Sequence, residues 1–232
     1  MSEQNQEHVK TLEIVLRNRQ HLFRKPIPEF SENAFKKIEE FVNSFPEKKE
    51  IILDLCCGVG ESSFHFAQEY SESIIIGIDK SADRIERKNK FKHSLPENLL
   101  ILRADIIDVI RLIANSELCT RIGKIFLLYP NPYPKTTQFQ KRWHGHGIFP
   151  YLMKFNASVE VRSNWKIYLM EFLMAANCYK DFESLLEEFE PSMTLTPFER
   201  KYFDSKQLLY RLLLTPKLIK VCLLYTSPSP RD

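Results

Sequence analysis

Glycine is the residue that this sequence has least of, relative to ordinary usage. Only six glycines occur in 232 residues, where an average share of about 7% would give roughly sixteen. A chain so poor in glycine is expected to place each one where the backbone needs it, in a left-handed turn or at a close approach to a ligand. The positions of the glycines therefore indicate where a ligand-binding site lies.

Cysteines and long apolar runs are also few. The five cysteines are odd in number and have no paired spacing, which argues against a disulfide framework and a zinc site and favours a reducing compartment. No window of about 18 uninterrupted apolar residues exists, and the N-terminus lacks the apolar core of a secretion signal. We predict a cytoplasmic protein without a membrane partner.

What is present is the composition of a globular protein. Apolar residues make up 44% and charged residues 27% of the chain, close to the usual shares of about 45–50% and 25%. The net charge of +3 permits a polyanionic partner without requiring one. The length supports one domain with an appended segment, and it is too short for two full domains.

Changes of pattern divide the chain into three parts. Residues 1–46 are predicted to form an N-terminal helical arm, with a helix over residues 31–45 that begins at Ser31 and ends before Pro46. Residues 47–220 are predicted to form the main domain. Residues 221–232 contain a Ser-Pro repeat that resembles translated sequencing-adapter sequence, so we predict a non-native tail there.

Short apolar runs alternate with segments of helical length in the main domain. The runs are Ile51–Leu55, Ile74–Ile78, Leu99–Leu102 and Ile125–Tyr129. The helical segments between them are Glu61–Tyr70, Ser81–His93 and Ile106–Asn115. Because this alternation is typical of a parallel sheet covered on both faces, the sequence predicts a doubly wound, mostly parallel α/β fold. A strand over Ser158–Arg162, a helix over Trp165–Tyr179 and a strand over Leu208–Leu214 follow.

The loop after the first run carries two glycines two residues apart, Gly58 and Gly60. Glycines at a strand-to-helix turn let the backbone bend sharply and let a ligand approach closely. Asp79 ends the second run nineteen residues beyond Gly60, where an acid can hydrogen-bond both hydroxyls of a ribose, and Asp105 ends the third run. We therefore predict a nucleotide-type site at this edge of the sheet.

The identity of the cofactor follows from two further positions. The dinucleotide fingerprint needs a third glycine where this chain has Ser63, which disfavours a nicotinamide cofactor. Asp54, within the loop, suits a positively charged ligand such as the amino-acid end of S-adenosylmethionine. The pattern D-x-x-x-G-x-G resembles the first motif of class I S-adenosylmethionine-dependent methyltransferases, whose usual first glycine is Cys56 here. The resemblance implies a Rossmann-like fold and the cofactor residues Asp54, Gly58, Gly60, Asp79 and Asp105.

A proline-rich block follows the fourth run, at residues 128–135 (LYPNPYPK), and a basic run with Trp143 comes after it. Three prolines in five residues cannot pair in a central strand, so we predict a stiff loop that holds Asn131 over the crevice. The block resembles the proline-rich signature of the tRNA (guanine-N7) methyltransferase family. Residues 163–168 (SNWKIY) resemble its T-D-x-x-x-Y motif, and residues 196–201 (TPFERK) resemble its T-x-F-E-x-K motif.

The resemblance implies a methyltransferase domain at residues 47–220 that acts on tRNA, at guanine N7. It places Asn131 at the reacting base as the catalytic residue and beside the cofactor. The implied substrate contacts are Lys135, Arg142, Asn164, Thr196 and Glu199. The basic loop would hold phosphates, and Trp143 could stack on a base. A turn capped by Thr196, with Glu199 at its third position, accounts for that motif equally well.

Two amides depart from the family pattern, since Asn131 and Asn164 stand where the family has aspartates. Guanine N7 carries a free lone pair, so its methylation needs alignment rather than a base. The product ring is cationic, however, and a carboxylate stabilises that charge better than an amide. The Asn131 carbonyl can also accept from an exocyclic amine. The alternatives are therefore methylation of an exocyclic base nitrogen or another acceptor, and a catalytically weak relative that binds RNA or a protein.

Two other features carry no function in this interpretation. His144 and His146 lack an acidic or cysteine partner at suitable spacing, so no metal is predicted. The basic residues between Arg84 and Lys92 lie on a predicted helix and are interpreted as its solvated face.

Overall fold

The computed structural model describes residues 4–86, 95–179 and 182–217. Seven strands form one sheet in the order β3-β2-β1-β4-β5-β7-β6. Their bounds are β1 Ile51–Leu55, β2 Ile74–Asp79, β3 Leu99–Arg103, β4 Ile122–Leu128, β5 Ser158–Ser163, β6 Phe182–Glu188 and β7 Tyr210–Pro216. Strands β1 to β5 pair in parallel, and β7 runs antiparallel to both β5 and β6. The predicted doubly wound, mostly parallel fold is confirmed.

Helices connect the strands, and several match the predicted segments closely. Their bounds are α1 Thr11–Gln20, α2 Glu29–Asn43, α3 Glu61–Glu69, α4 Ala82–Glu86, α5 Ile106–Ala114, α6 Phe149–Leu152, α7 Lys166–Asn177 and α8 Pro197–Asp204. Two short 3₁₀ helices lie at Glu117–Arg121 and Thr136–Lys141. The last part of the helix predicted to His93, with the basic positions 87–92, lies outside the described residues, as does the predicted tail.

The central strands are apolar on both faces because the sheet separates two hydrophobic clusters. In β1, Ile51, Leu53 and Leu55 belong to one cluster and Ile52 to the other. The same alternation holds in β2, where Ile76 and its neighbours two residues away face the first cluster and Ile75 faces the second. Burial on both sides therefore explains the continuous apolar runs.

The N-terminal helices pack into the same core. Val15 of α1 and Ala34, Ile38 and Val42 of α2 are buried in the first cluster. Helix α2 begins at Glu29, two residues before the predicted start, and Ser31 lies inside it with its hydroxyl donating to Asp108 at 3.0 Å. The residues predicted as an arm thus cover one face of the sheet, close to α5.

Strand β6 was not predicted, and its sequence shows why. It reads FESLLEE, lies at the edge of the sheet and pairs with β7. Most of its residues are exposed or half-buried, so it lacks the continuous apolar character of the central strands. Strand β4 begins at Ile122, three residues before the predicted start, because Gly123 and Lys124 interrupt its apolar run.

Candidate active site

A cavity of about 960 Å³ lies at the carboxyl ends of the parallel strands. It opens where the strand order reverses between β1 and β4, which is where doubly wound sheets bind ligands. We call one part the acidic end, lined by residues 56–59, 79–81, 84 and 105–107. We call the other part the amide end, lined by residues 128–133, 163–164, 196–198 and 202. The volume suits a small-molecule ligand, for which about 300–1,000 Å³ is usual.

The two glycines of the first loop differ in what they permit. Both have left-handed backbone, with φ of 62° at Gly58 and 83° at Gly60. A Cβ on Gly58 would meet no atom within 4 Å, so this residue leaves open space beside the cavity. A Cβ on Gly60 would come 2.5 Å from Cδ1 of Ile101, so Gly60 allows α3 to begin close to β3. Gly58 lines the cavity and Gly60 supports the turn.

Asp54 lies beneath this loop and does not line the cavity. Its carboxylate is buried, and Oδ2 accepts hydrogen bonds from the hydroxyls of Ser62 and Ser63, both at 2.6 Å. Oδ1 has no hydrogen-bond partner among the described residues. Burial raises the pKa of Asp54 to about 6. Asp54 is therefore a buried charge with one unused acceptor.

Asp79 is held firmly at the acidic end. It is buried, Oδ2 accepts from the Gly58 amide at 3.0 Å, and Oδ1 accepts from the Ser81 amide at 2.8 Å. Oδ2 also pairs with Arg84 at 3.1 Å. The Arg84 side chain is 48% exposed, so it is free to exchange this contact for water or for a ligand.

Asp105 has a similar arrangement one strand further along. Oδ1 caps α5 by accepting from the Ile107 amide at 3.1 Å, and Oδ2 pairs with the exposed Lys80 at 2.9 Å. Burial opposes ionisation of Asp105, but the Lys80 ammonium and the Ile107 amide outweigh it, so its pKa lies below the ordinary value. The acidic end thus carries two carboxylates, each paired with an exposed cation.

The amide end carries Asn131 and Asn164, and both side chains line the cavity. Asn131 Oδ1 accepts from the Tyr133 amide at 3.2 Å, and Asn164 Nδ2 donates to Gln207 Oε1 at 2.9 Å. The loop around Asn131 is strained, with φ of 51° at Tyr129 and 47° at Tyr133. Non-glycine residues keep such a conformation only where their surroundings impose it.

The late motif is a capped helix start. Thr196 Oγ1 accepts from the Glu199 amide at 3.0 Å and begins α8. The Glu199 carboxylate is buried and accepts from the hydroxyl of Tyr129 at 3.1 Å and from Arg162 at 2.9 Å. Thr196 lines the cavity, but Glu199 does not. This placement differs from the predicted substrate contact of Glu199 and agrees with the capping interpretation.

Two basic residues predicted to contact the substrate lie outside the cavity lining. Arg142 is fully buried and forms an ion pair with Glu171 at 2.5 Å. A side chain without solvent exposure cannot hold a phosphate, so the structure corrects the prediction for Arg142. Lys135 is exposed at the start of the 3₁₀ helix. From the basic run, Lys141 and Trp143 line the cavity.

Aromatic residues of α8 and of residues 128–134, which we call the proline loop, form a wall for which the sequence predicted no role. The ring centroids of Tyr129 and Tyr202 lie 5.7 Å apart, and those of Phe198 and Tyr202 lie 6.5 Å apart. All three line the cavity, and Phe198 is 50% exposed. The signal in the sequence is the spacing of four between Phe198 and Tyr202, which places both on one helix face.

His144 and His146 do not form a metal pair. His144 is buried, with Nε2 2.9 Å from Glu171, whereas His146 lines the cavity and accepts from the Ile148 amide. Among residues 4–86, 95–179 and 182–217, no three or more His, Cys, Asp or Glu are grouped to hold a metal ion. No helix in these ranges is long and apolar enough to cross a bilayer.

Comparison with known proteins decides the family. Residues 48–212 match the family described as "Putative methyltransferase". The chain belongs to this methyltransferase family. Its sheet and cavity are therefore those of a methyltransferase, and the predicted resemblance is confirmed.

Two curated relatives share the name tRNA (guanine-N(7)-)-methyltransferase. The one from Neorickettsia sennetsu is 29% identical over 119 residues, which cover 49% of this methyltransferase and 52% of the relative. The one from Mycoplasma genitalium is 24% identical over 172 residues, covering 68% and 80%. This methyltransferase thus spans about half the length of the first relative and four fifths of the second.

Solved structures agree on the fold. The 16S rRNA methyltransferase KamB superposes with a TM-score of 0.56 at 15% identity, covering 84% of this methyltransferase and 99% of that chain. An antibiotic-related methyltransferase gives 0.54 at 12% identity, covering 83% and 97%. At such low identity the likeness shows a shared fold alone.

S-adenosylmethionine is the cofactor of this methyltransferase, and the acidic end of the cavity fits it. Gly58 leaves open space beside the cavity, and Asp79 and Asp105 offer carboxylate acceptors there for hydroxyl and amino groups. The unused Oδ1 of Asp54 is a negative acceptor close to the loop, of the kind that an ammonium group favours.

Proposed function

We propose that this methyltransferase acts on tRNA in the cytoplasm and methylates guanine at N7. The observation that carries the proposal is that one cavity is lined both by the acidic end and by Asn131 and Asn164. The two relatives named tRNA (guanine-N(7)-)-methyltransferase support the same substrate.

At the acidic end, the chain's own carboxylates are proposed to bind the cofactor. Asp79 accepts the ribose hydroxyls once Arg84 moves aside, and Asp105 lies near the adenine. Gly58 and Gly60 form the turn beneath the cofactor, and Asp54 attracts its ammonium group through the loop. S-adenosylmethionine, when bound, supplies a methyl group attached to a positively charged sulfur.

At the amide end, the side chains are proposed to orient the base. Guanine N7 has a free lone pair, so no residue has to remove a proton and orientation supplies most of the catalysis. Asn131 keeps Nδ2 and one lone pair of Oδ1 for the base, because its other lone pair accepts from the Tyr133 amide. Asn164 and Thr196 add polar contacts along the same wall of the cavity.

The rest of the tRNA is proposed to contact the aromatic wall and the exposed lysines. Tyr129, Phe198 and Tyr202 offer flat apolar surface against which a base can pack. Lys135 and Lys141 are exposed on the segment after the proline loop, where they can hold phosphates without reading the sequence.

One observation favours a second candidate function. Both positions at which the related family carries aspartates are amides in this chain, and both amides line the cavity. An amide carbonyl accepts from an amino group without the charge that favours a cationic product. Methylation of an exocyclic base nitrogen is therefore the alternative reaction, and a catalytically weak RNA-binding or protein-binding relative is the alternative without turnover.

The test is to incubate the full chain with labelled S-adenosylmethionine and unmodified tRNA, then to treat the tRNA with borohydride and aniline. Strand cleavage at 7-methylguanosine supports the proposal. Label in tRNA without cleavage supports the exocyclic acceptor, and an absence of label despite cofactor binding supports the weak relative.

The variant Asn131→Asp sharpens this test. If the reaction occurs at N7, the new carboxylate stabilises the developing positive charge and the rate rises. An unchanged or lower rate indicates that the amide suits another acceptor. Asn43→Asp, which adds the same charge at an exposed position in α2, is the matched control.

A further inference from the structure

A buried ion pair lies behind the amide end of the cavity. Arg142 and Glu171 are both fully buried, and Nη1 of the arginine lies 2.5 Å from Oε2 of the glutamate. The guanidinium is also close to the rings of Phe139 and Trp165, 5.4 and 4.8 Å from their centroids. The pair joins α7, which carries Glu171, to the segment that follows the proline loop.

The charges in this cluster balance. Burial lowers the pKa of His144, although its hydrogen bond to Glu171 opposes the shift, so the imidazole is neutral. Its Nε2–H donates to Glu171 Oε2 at 2.9 Å, and Nδ1 has no partner in the described part of the chain. Glu171 stays ionised despite its burial, because His144, the His8 amide and Arg142 lower its pKa to about 2.

Arg142 also donates hydrogen bonds to the proline loop. Its Nε and Nη2 both donate to the Tyr133 carbonyl, at 3.2 and 3.0 Å. Tyr133 is one of the strained residues, with φ of 47°, and its amide donates to Oδ1 of Asn131. A continuous chain of hydrogen bonds therefore runs from Glu171 through Arg142 and Tyr133 to Asn131.

The N-terminal segment closes the cluster from the other side. Gln4 donates to Glu171 Oε1 at 2.7 Å and accepts from Arg142 Nη2 at 3.0 Å. The His8 amide donates to the same Glu171 oxygen at 2.7 Å. The backbone N–H of Gln4 donates to the carbonyl of Pro134 at 3.1 Å, within the proline loop. Glu171 Oε1 thus binds the N-terminal segment, and Oε2 binds the segment that carries Arg142 and His144.

We propose that Arg142 is a positioning residue that, held by Glu171 and Gln4, fixes the strained proline loop so that Asn131 faces the acceptor. The inference rests on the proposed function for the identity of the acceptor, and the loop geometry itself is independent of it. A buried ion pair is weak support for stability alone, since apolar residues of similar volume often stabilise a fold as well. Here the N–H groups of Arg142 donate to the carbonyl of a strained loop, and such an arrangement preorganises a site.

The variant Arg142→Lys keeps the charge but loses the planar fork that reaches Glu171 and the Tyr133 carbonyl together. Arg111→Lys is the matched control, because Arg111 pairs with Asp108 at 3.4 Å and is also buried, but its partner lies in α5 and does not line the cavity. We expect kcat for tRNA to fall at least about tenfold in Arg142→Lys, because misplacement of a reacting group is costly. Cofactor affinity by calorimetry should stay within about twofold in both variants.

A second readout does not depend on activity. The chain has two tryptophans, and Trp143 lines the cavity while Trp165 lies beside the Arg142 guanidinium. Release of the loop should therefore raise the quenching of tryptophan fluorescence by acrylamide in Arg142→Lys and leave it unchanged in Arg111→Lys. Equal kcat losses in the two variants, or unchanged quenching in Arg142→Lys, would overturn the proposal.

The two proposals can fail separately. If the wild-type chain does not methylate tRNA, the proposed function fails, and the quenching comparison still decides whether Arg142 holds the loop. If Arg142→Lys does not fold, Gln4→Ala replaces it, because this change removes hydrogen bonds at the rim of the cluster and keeps the ion pair. We expect the same changes there, at smaller size, and unchanged quenching and kcat in Gln4→Ala would then refute the proposal.

Discussion

The two ends of the cavity use charge in opposite ways. At the acidic end, Asp79 and Asp105 line the cavity and pair with the exposed cations Arg84 and Lys80. The residues that line the amide end are neutral, and the charged groups lie behind them. Arg142–Glu171 and Arg162–Glu199 are buried ion pairs whose remaining hydrogen bonds support the loops.

The difference follows from what each end has to do. A charged cofactor gains affinity from carboxylates that face it, and exposed cations can leave those carboxylates at little cost. A neutral base whose reacting atom carries a free lone pair gains most from exact placement. Placement needs rigid loops, and buried, fully hydrogen-bonded ion pairs provide them.

The largest expected effect is on stability and comes from the amide end. Glu199→Ala removes one of the two carboxylate partners of Arg162, which keeps Glu160 at 2.6 Å. It also leaves the Tyr129 hydroxyl and the buried Leu195 amide without their acceptor, so the free energy of unfolding should fall by about 2–4 kcal/mol. Glu187→Ala is the control, because Glu187 pairs with the partly exposed Arg211 of a neighbouring strand and should lose about 0–1 kcal/mol. Urea denaturation measures both, and similar losses would show that the two ion pairs play the same part.

The next effect is on the cofactor and comes from the acidic end. Asp79→Asn removes a charged acceptor and turns one oxygen into a donor facing the Gly58 or Ser81 amide. Hydrogen bonds to a charged group contribute about 1.5–3 kcal/mol, so the Kd for S-adenosylmethionine should rise roughly 10- to 100-fold. Asp83→Asn, at an exposed position of α4 outside the cavity lining, should leave the Kd unchanged in calorimetry. An equal effect of both variants would remove Asp79 from the cofactor site.

A pH titration separates Asp54 from Asp105, which lines the cavity. Burial raises the pKa of Asp54 to about 6, so this group is ionised at pH 7 and becomes protonated as the pH falls through that value. Loss of its negative charge should weaken binding of the cofactor's ammonium group below about pH 6. Asp105 has a lowered pKa and keeps its charge over this interval. In Asp54→Asn the Kd for the cofactor should be higher at pH 7 than in the wild type and should not change between pH 7 and 5. If the variant shows the same pH dependence as the wild type, another group causes the effect.

The same contrast explains how much of the site could be predicted from the sequence. At the acidic end each signal is local: Gly58 lies three residues after β1, Asp79 ends β2, and Asp105 lies two residues after β3. Parallel strands bring such positions to one edge of the sheet, so the sequence pattern placed Asp79 and Asp105 at the cavity. It also predicted Asp54 within the loop, but Asp54 lies in β1 and does not line the cavity.

At the amide end the signals are not local. Arg142 and Glu199 stand in motifs beside the cavity, which made them look like substrate contacts, but their partners Glu171 and Arg162 lie 29 and 37 residues away in the chain. A lone glutamate in the otherwise apolar centre of α7 was the available sign of a buried partner. Which arginine it pairs with depends on how α7 packs, and local sequence does not encode that.

The smallest expected effect concerns Cys56, which lies directly after β1, at the start of the loop that carries Gly58 and Gly60. Its φ is 64°, a conformation that costs a non-glycine residue about 1–2 kcal/mol, while glycine loses about 0.5–1 kcal/mol through its more flexible unfolded chain. Cys56→Gly should therefore stabilise the fold by up to about 1 kcal/mol.

Lys206→Gly is the control, since Lys206 has φ of 54° and does not line the cavity. Thermal denaturation should show similar gains for both, whereas calorimetry should show tighter cofactor binding for Cys56→Gly alone, because that side chain lines the acidic end. Equal cofactor affinities of the wild type and Cys56→Gly would mean that Cys56 strains the backbone without restricting the ligand.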